Sequence, residues 1–353
     1  MSISTFNSIE IECISSCVPK NKIYNKDYPV LFNQKEKETI IKNTNIHERR
    51  IAPEDMFTSD LAFTASQAIF DDPSEDVKPE EVKALIFLSQ THDYKMPFSS
   101  NILQHNLNIP SDCLCIDINA ACSGFITGLQ TAYSIANTLL TGKVLFVISE
   151  TMSKIVSKKD RKTTLLFGDG ASALVISNSI KNKSNSYFMS FSDGEYADAI
   201  KIHSGGSRYP INLKDIAIKK HEDGSERNNF QLEMDSLGVY NFTMKRIPPS
   251  VIKMNSFLNL DANNIDYYVF HQANNFIINR FIKKLKIEKD KVAVNIDRFG
   301  NTSGVSIPLA ITTELKNKKN LETIHCVGFG AGLSWGNAII NLSQTNILKL
   351  KEL

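Results

Sequence analysis

Cysteine is scarce in this chain of 353 residues: Cys13, Cys17, Cys113, Cys115, Cys122 and Cys326 are all there are. None stands in the paired C-x-x-C spacing of a structural zinc site, and so few give no disulfide framework. A reducing compartment is the simpler setting. Cys113 and Cys115 are read as facing opposite sides of one strand. No apolar run approaches 18 residues, so no transmembrane helix is expected. The N-terminal MSISTFNSIEIECIS has acidic residues where a signal peptide carries basic ones, and it lacks an apolar core. A cytoplasmic protein without membrane partners is expected. A net charge of +2 is too small to point to nucleic acid. With 42% apolar and 22% charged residues, the composition is that of an ordinary globular protein.

Against that background one cysteine stands out. Cys122 lies in DINAACSGFITGLQTA, where a short apolar run from Leu114 to Ile118 predicts a buried strand. Phe125, Ile126, Leu129, Ala132, Tyr133, Ala136 and Leu140 then recur at helical spacing, with Gly142 as the expected C-cap. A thiol at a helix N-terminus faces unpaired N–H groups and the positive end of the dipole, which favour the reactive thiolate. The competing reading is a structural cysteine, since free cysteines are commonly buried.

The chain repeats itself faintly. A shift of 180 residues superposes Ile116-Asp117 on Ile296-Asp297 and Ser123-Gly124 on Ser303-Gly304, so that Cys122 falls on Thr302 beside Asn301. Leu85 to Gln90 and Tyr267 to Gln272 read as matching strands. Duplication predicts two α/β halves, 1–178 and 179–353, joined by the polar stretch from Asn178 to Ser186. A second polar stretch, Lys214 to Asn229, is open as a lid, a partner surface or a solvated loop.

The second half supplies the partners a nucleophile needs. His271 follows the apolar YYVF, at the end of a predicted strand, where α/β proteins place their sites. Asn301 stands in RFGNTSG, and GFGAGLSWG carries four glycines in nine residues. Each alone also fits a turn or a satisfied core position.

Taken in order, DINAACSGF, HQAN, FGNTSG and GFGAGLSWG resemble β-ketoacyl-acyl-carrier-protein synthase III, of the thiolase superfamily. ERRIA (Glu48 to Ala52) and DRKTTLLFGDGA (Asp160 to Ala171) match as well. The resemblance implies a thiolase-like fold with a five-layered αβαβα core, in a homodimer. It makes Cys122 the acyl-accepting nucleophile and His271 and Asn301 donors to a malonyl thioester during decarboxylative Claisen condensation. The backbone N–H groups of Cys122 and Ala331 become the oxyanion hole, and Arg161 a substrate contact at the entrance. Arg280, Lys283 and Lys284, on one predicted helix face, become the patch for an acidic acyl carrier protein. No metal or cofactor is implied; acyl-CoA or acyl-carrier protein and malonyl-carrier protein are the substrates.

The departures concern the substrate. Family members often stack the CoA adenine between a tryptophan and an arginine before ERxIA; here Thr39 and Asn43 fall at those positions, and Trp335 is the single tryptophan. That puts CoA in question as the donor. Met96 takes the position that floors the partner's acyl pocket, commonly phenylalanine in acetyl-preferring members, and methionine is adaptable. A specialised, non-acetyl primer is therefore expected, although simple packing at the interface explains Met96 equally. Two rivals stay open: transfer of the acyl group to an amine or hydroxyl, and a non-catalytic partner subunit of a heterodimer.

Overall fold

The computed structural model describes residues 2–29, 31–179 and 185–353. The strands that build its two main sheets are β1 (Ser2–Asn7), β2 (Ile9–Val18), β3 (Val82–Leu88), β4 (Leu114–Ile118), β5 (Lys143–Glu150), β6 (Gly170–Asn178), β7 (Asn185–Ser192), β8 (Tyr267–Phe270), β9 (Ile324–Gly330) and β10 (Ser334–Ile340). The helices that position the site are α1 (Gln34–Thr44), α2 (Thr58–Phe70), α3 (Ser99–Asn106), α4 (Gly124–Thr138), α5 (Ser236–Phe257), α6 (Asn275–Leu285) and α7 (Ser306–Ala310).

The first sheet runs β2-β6-β5-β3-β4, with Asn346–Ile347 and Lys351–Glu352 both pairing with β2. The second runs β1-β7-β10-β9-β8. The central strands are almost wholly apolar: in KVLFVISE every residue after Lys143 is buried. That is the pattern of strands covered on both faces. Helices α4 and α7 lie between the two sheets, each touching strands of both. Helix α2 covers the outer face of the first sheet, and α5 that of the second. The result is the expected five-layered α/β, thiolase-like arrangement.

Helix α4 shows why it can occupy the middle layer. Its buried residues include Phe125, Ile126, Leu129, Ala132, Tyr133 and Ala136, on more than one face. A helix buried on several sides must be apolar around most of its circumference. Gly128 brings its backbone against β5, where a Cβ would stand 2.5 Å from the Phe146 ring. The helix ends at Thr138, before the expected cap: Leu140 is fully exposed, and Gly142 (φ +93°) serves the turn into β5.

Three sequence expectations need revision. Cys113 and Cys115 pack against the same core cluster, because residues two apart along a strand share a face. The match of Ile116-Asp117 to Ile296-Asp297 is not structural, since the first pair lies in β4 and the second in a short helix, Ile296–Phe299. The proposed division at 178 falls at the end of β6, yet the two halves exchange their ends. Strand β1 pairs with β7 of the second half, and the C-terminal strands pair with β2. Of the polar linker, residues 180–184 lie outside the described residues.

Candidate active site

Cys122, His271, Asn301 and Ala331 line one cavity of about 210 Å³, although they come from four separate stretches of chain. Each is delivered by the end of a regular element. Cys122 sits in the turn that links β4 to α4, closed by a hydrogen bond from Gly124 N–H to Ala121 O at 2.8 Å. His271 continues β8 by one residue, its N–H bonded to Val327 O at 2.8 Å. Ala331 directly follows β9. Gly330, the last residue of that strand, lies so close that a Cβ there would stand 2.6 Å from Cys122 Cβ.

Asn301 is held on three sides. Its N–H donates to Leu166 O at 2.9 Å, its carbonyl accepts from Gly168 N–H at 3.0 Å, and its Oδ1 accepts from Ser303 N–H at 2.9 Å. With Oδ1 engaged, the side-chain Nδ2 is the group left for a ligand. The same bond holds Ser303 at φ +54°, a region few residues other than glycine occupy. The ERRIA match is explained here as well. Buried Arg49 donates through Nε to Asn25 Oδ1 at 2.7 Å and through Nη1 to the Phe167 carbonyl at 3.1 Å, and Phe167 bridges Asn301.

Electrostatics separate the titratable groups. Burial pushes the Cys122 thiol up to about 12, opposed by a hydrogen bond with Ser303 and raised further by the charge of Glu150. The thiolate favoured by the helix end is therefore not the resting form; desolvation outweighs the dipole. Burial pushes His271 down to about 3, opposed only in part by the Ser303 carbonyl. A neutral imidazole results, with Ser306 Oγ at 2.7 Å from Nδ1 and the Phe329 ring edge-on at 5.1 Å.

The remaining predicted residues lie elsewhere. Arg161 does not line the cavity: its guanidinium bonds Leu31 O and Glu36 and stacks on Phe32, while neighbouring Lys162 reaches the cavity wall. Met96 is 85% exposed, beside the exposed Tyr94 and Phe98. Ala273 and Asn274, just before α6, and Ile277 in its first turn border the cavity, whereas Arg280, Lys283 and Lys284 follow further along the helix on the exposed side. Arg280 stacks over Phe276, and Lys284 donates to Met244 O. The Lys214–Asn229 stretch includes a small hairpin that ties to the loop before the cavity through Glu226 N–H to Lys159 O and Arg227 to buried Asp160.

Sequence reading missed Glu150, Ser303, Ser306 and Gln90. Glu150 is fully buried at the C-terminal end of β5, and a carboxylate ending an otherwise apolar strand was the available signal.

Comparison with known proteins bears on the whole chain. Residues 116–194 match the family model for 3-oxoacyl-[acyl-carrier-protein (ACP)] synthase III, and 256–342 match the model for its C-terminal part. The β-ketoacyl-[acyl-carrier-protein] synthase III of Caldanaerobacter subterraneus is 33% identical over 93% of this chain and 96% of its own. That of Clostridioides difficile is 34% identical over the same shares. A crystal structure of a 3-oxoacyl-(acyl-carrier protein) synthase from Burkholderia xenovorans superposes with a TM-score of 0.91, at 30% identity, over 100% of this chain and 99% of that one.

Proposed function

The chain belongs to the 3-oxoacyl-[acyl-carrier-protein] synthase III family of acyltransferases, and we propose that Cys122, His271 and Asn301 carry out its decarboxylative condensation. The convergence of these three side chains on one cavity is the observation that carries this reading.

In the first step Cys122 sulfur attacks the carbonyl of an acyl thioester. A carbon–sulfur bond forms to the enzyme, and the carrier thiol leaves. The N–H groups of Cys122 and Ala331 hold the oxyanion of that step. A malonyl thioester then enters and loses carbon dioxide, so that electron density moves onto the thioester oxygen. Asn301 Nδ2 and His271 Nε2 donate to that oxygen, in the tautomer in which Nδ1 accepts from Ser306 Oγ and the ring proton is on Nε2. Donors fixed in a buried site are worth about 2.7–4 kcal/mol each to such a step. The carbanion attacks the acyl-cysteine carbonyl, a carbon–carbon bond forms, and Cys122 sulfur departs.

Acyl carrier protein is the proposed carrier, docking on the exposed side of α6. A second copy of this chain is the proposed partner of the exposed Tyr94, Met96 and Phe98. The adaptable Met96 supports a primer other than acetyl. Intact-mass measurement after incubation with acetyl-CoA, longer and branched acyl-CoAs and acyl-carrier protein tests this reading, with Cys122→Ala beside wild type. A mass gain on wild type alone, followed by carbon dioxide release when malonyl-carrier protein is added, is expected. Acyl loading without that release would instead indicate transfer to another acceptor, and no loading from any donor would sink the assignment of Cys122.

A further inference from the structure

Beneath Cys122 lies a carboxylate that condensation, as described above, does not use. Glu150 is completely buried, and among the described residues no lysine, arginine or histidine pairs with it. A buried carboxylate without a cation is costly and calls for an explanation. Among the described residues its oxygens face only hydroxyl and amide donors: Thr91 Oγ1 at 2.7 Å, Ser89 Oγ and Gln90 N–H at 3.3 Å, and Ser303 Oγ at 3.4 Å. Cys122 is the titratable group that feels its charge.

The direction of these bonds forms a chain. Cys122 Sγ donates to Ser303 Oγ at 3.7 Å, and Ser303 Oγ donates to Glu150 Oε1 at 3.4 Å. Gln90 Nε2 donates to the same Ser303 oxygen at 2.8 Å, which leaves the hydroxyl hydrogen to the carboxylate. Both transfer links are long, as such contacts are before substrate binds. His271, by contrast, makes no hydrogen bond to Cys122 among the described residues, and its Nδ1 is committed to Ser306.

We propose that Ser303 and Glu150 form a buried proton relay for Cys122. The proposal rests on the reading that Cys122 accepts the acyl group. As the sulfur attacks the thioester, its proton moves to Ser303 Oγ while the Ser303 proton moves to Glu150 Oε1. The carbon–sulfur bond to the carrier breaks, and the departing thiolate regains a proton along the same path. Nothing is oxidised or reduced. Glu150 touches no reacting atom, so it is a positioning residue acting through Ser303. Burial agrees with the role: it makes Glu150 a stronger base than an ordinary carboxylate and His271 a weaker one than an ordinary imidazole.

Alkylation of Cys122 by iodoacetamide, read site by site by mass against a Cys122→Ala background, tests the relay without any acyl donor. Rates are followed from about pH 6 to about pH 10 for wild type, Glu150→Gln and Ser303→Ala. Wild type is expected to show an inflection near pH 8, where the carboxyl loses its proton. Both variants are expected to lose the inflection and to react at least about tenfold more slowly just above it. A merely structural carboxylate would slow the reaction without moving the profile. Survival of the inflection in either folded variant, or its absence from wild type, overturns the relay. Should Glu150→Gln fail to fold, Ser303→Ala decides alone. A wild type that shows the inflection yet takes acyl groups from no donor overturns the assigned function and leaves the relay standing.

Discussion

Gly330 and Cys122 meet so closely that a Cβ added to the glycine would stand 2.6 Å from Cys122 Cβ and 3.2 Å from its backbone nitrogen. The last residue of β9 thus sets the position of Cys122 in the cavity wall that both residues line. Gly330→Ala must push Cys122 or β9 aside. Misplacement by about 1 Å costs on the order of a hundredfold in rate, and overpacking costs about 1–3 kcal/mol. Time courses of acyl loading by intact mass, with urea unfolding alongside, are expected to show both losses. Wild-type loading in Gly330→Ala would show that the cysteine does not depend on this contact.

Asn301→Asp separates the two halves of the proposed reaction. Aspartate can still accept from Ser303 N–H, so the local fold is kept, but the Nδ2 donor is gone and a negative charge replaces it. Carbon dioxide release from malonyl-carrier protein is expected to fall about 10²–10³-fold, with acyl loading of Cys122 reduced far less. An equal loss in both steps would place Asn301 in the acylation step as well.

Arg49 ties the Phe167 carbonyl to Asn25 and so supports the strand-like contact of Phe167 with Asn301. Arg49→Leu leaves two buried acceptors unpaired, at about 1–3 kcal/mol each. The guanidinium is itself held down to about 10 by burial, so its removal returns part of that cost. A net loss of roughly 2 kcal/mol in urea unfolding is expected, with decarboxylation impaired more than alkylation of Cys122. Unchanged decarboxylation would show that Asn301 is held without the arginine.

The pH dependence of stability follows from four shifts, two histidines lowered and two carboxyls raised. His271 and His325, depressed to about 3 and about 4, stay neutral in the fold but charge in the unfolded chain. They destabilise the fold progressively as pH falls below the ordinary histidine value of about 6.5. Glu150, raised to about 8, binds its proton more tightly folded than unfolded. Its contribution is complete below the ordinary glutamate value and is lost as pH rises through 8. Asp169, raised to about 6, behaves likewise over a lower range. Between about pH 6.5 and 8 Glu150 acts alone among these, so stability is expected to fall with rising pH by about 1.4 kcal/mol per unit. Denaturant midpoints of wild type and Glu150→Gln across this window check the point, since the slope should vanish in the variant.

Arg161 illustrates a residue whose motif was recognised but whose surroundings were not. Its sequence neighbours match the family pattern, yet its guanidinium is occupied by Glu36, the Leu31 carbonyl and the Phe32 ring. Arg161→Ala is expected to loosen the segment that leads into α1 with little effect on global stability, because the pair with Glu36 is exposed to solvent. The KM for acyl-CoA measures the substrate role directly: a rise of several fold would restore it, and an unchanged value would leave Arg161 as an anchor of α1.

The linear chain determined the layered α/β class, the cysteine at a strand-to-helix turn, and the histidine and asparagine of the second half. These depend on apolar periodicity and on short motifs, which are local. Tertiary structure alone decided that the two halves exchange their terminal strands, because strand pairing joins residues far apart in sequence. It also decided the protonation state of Cys122. The helix end that favours a thiolate is visible in the motif, but the desolvation that overrides it comes from β9 and the Ser303 loop, some 180 or more residues away. Glu150 shows the same limit. Read along the chain it is one acidic residue at the end of an apolar strand; only the folding of the second half over it sets Ser303 between its carboxylate and the sulfur of Cys122.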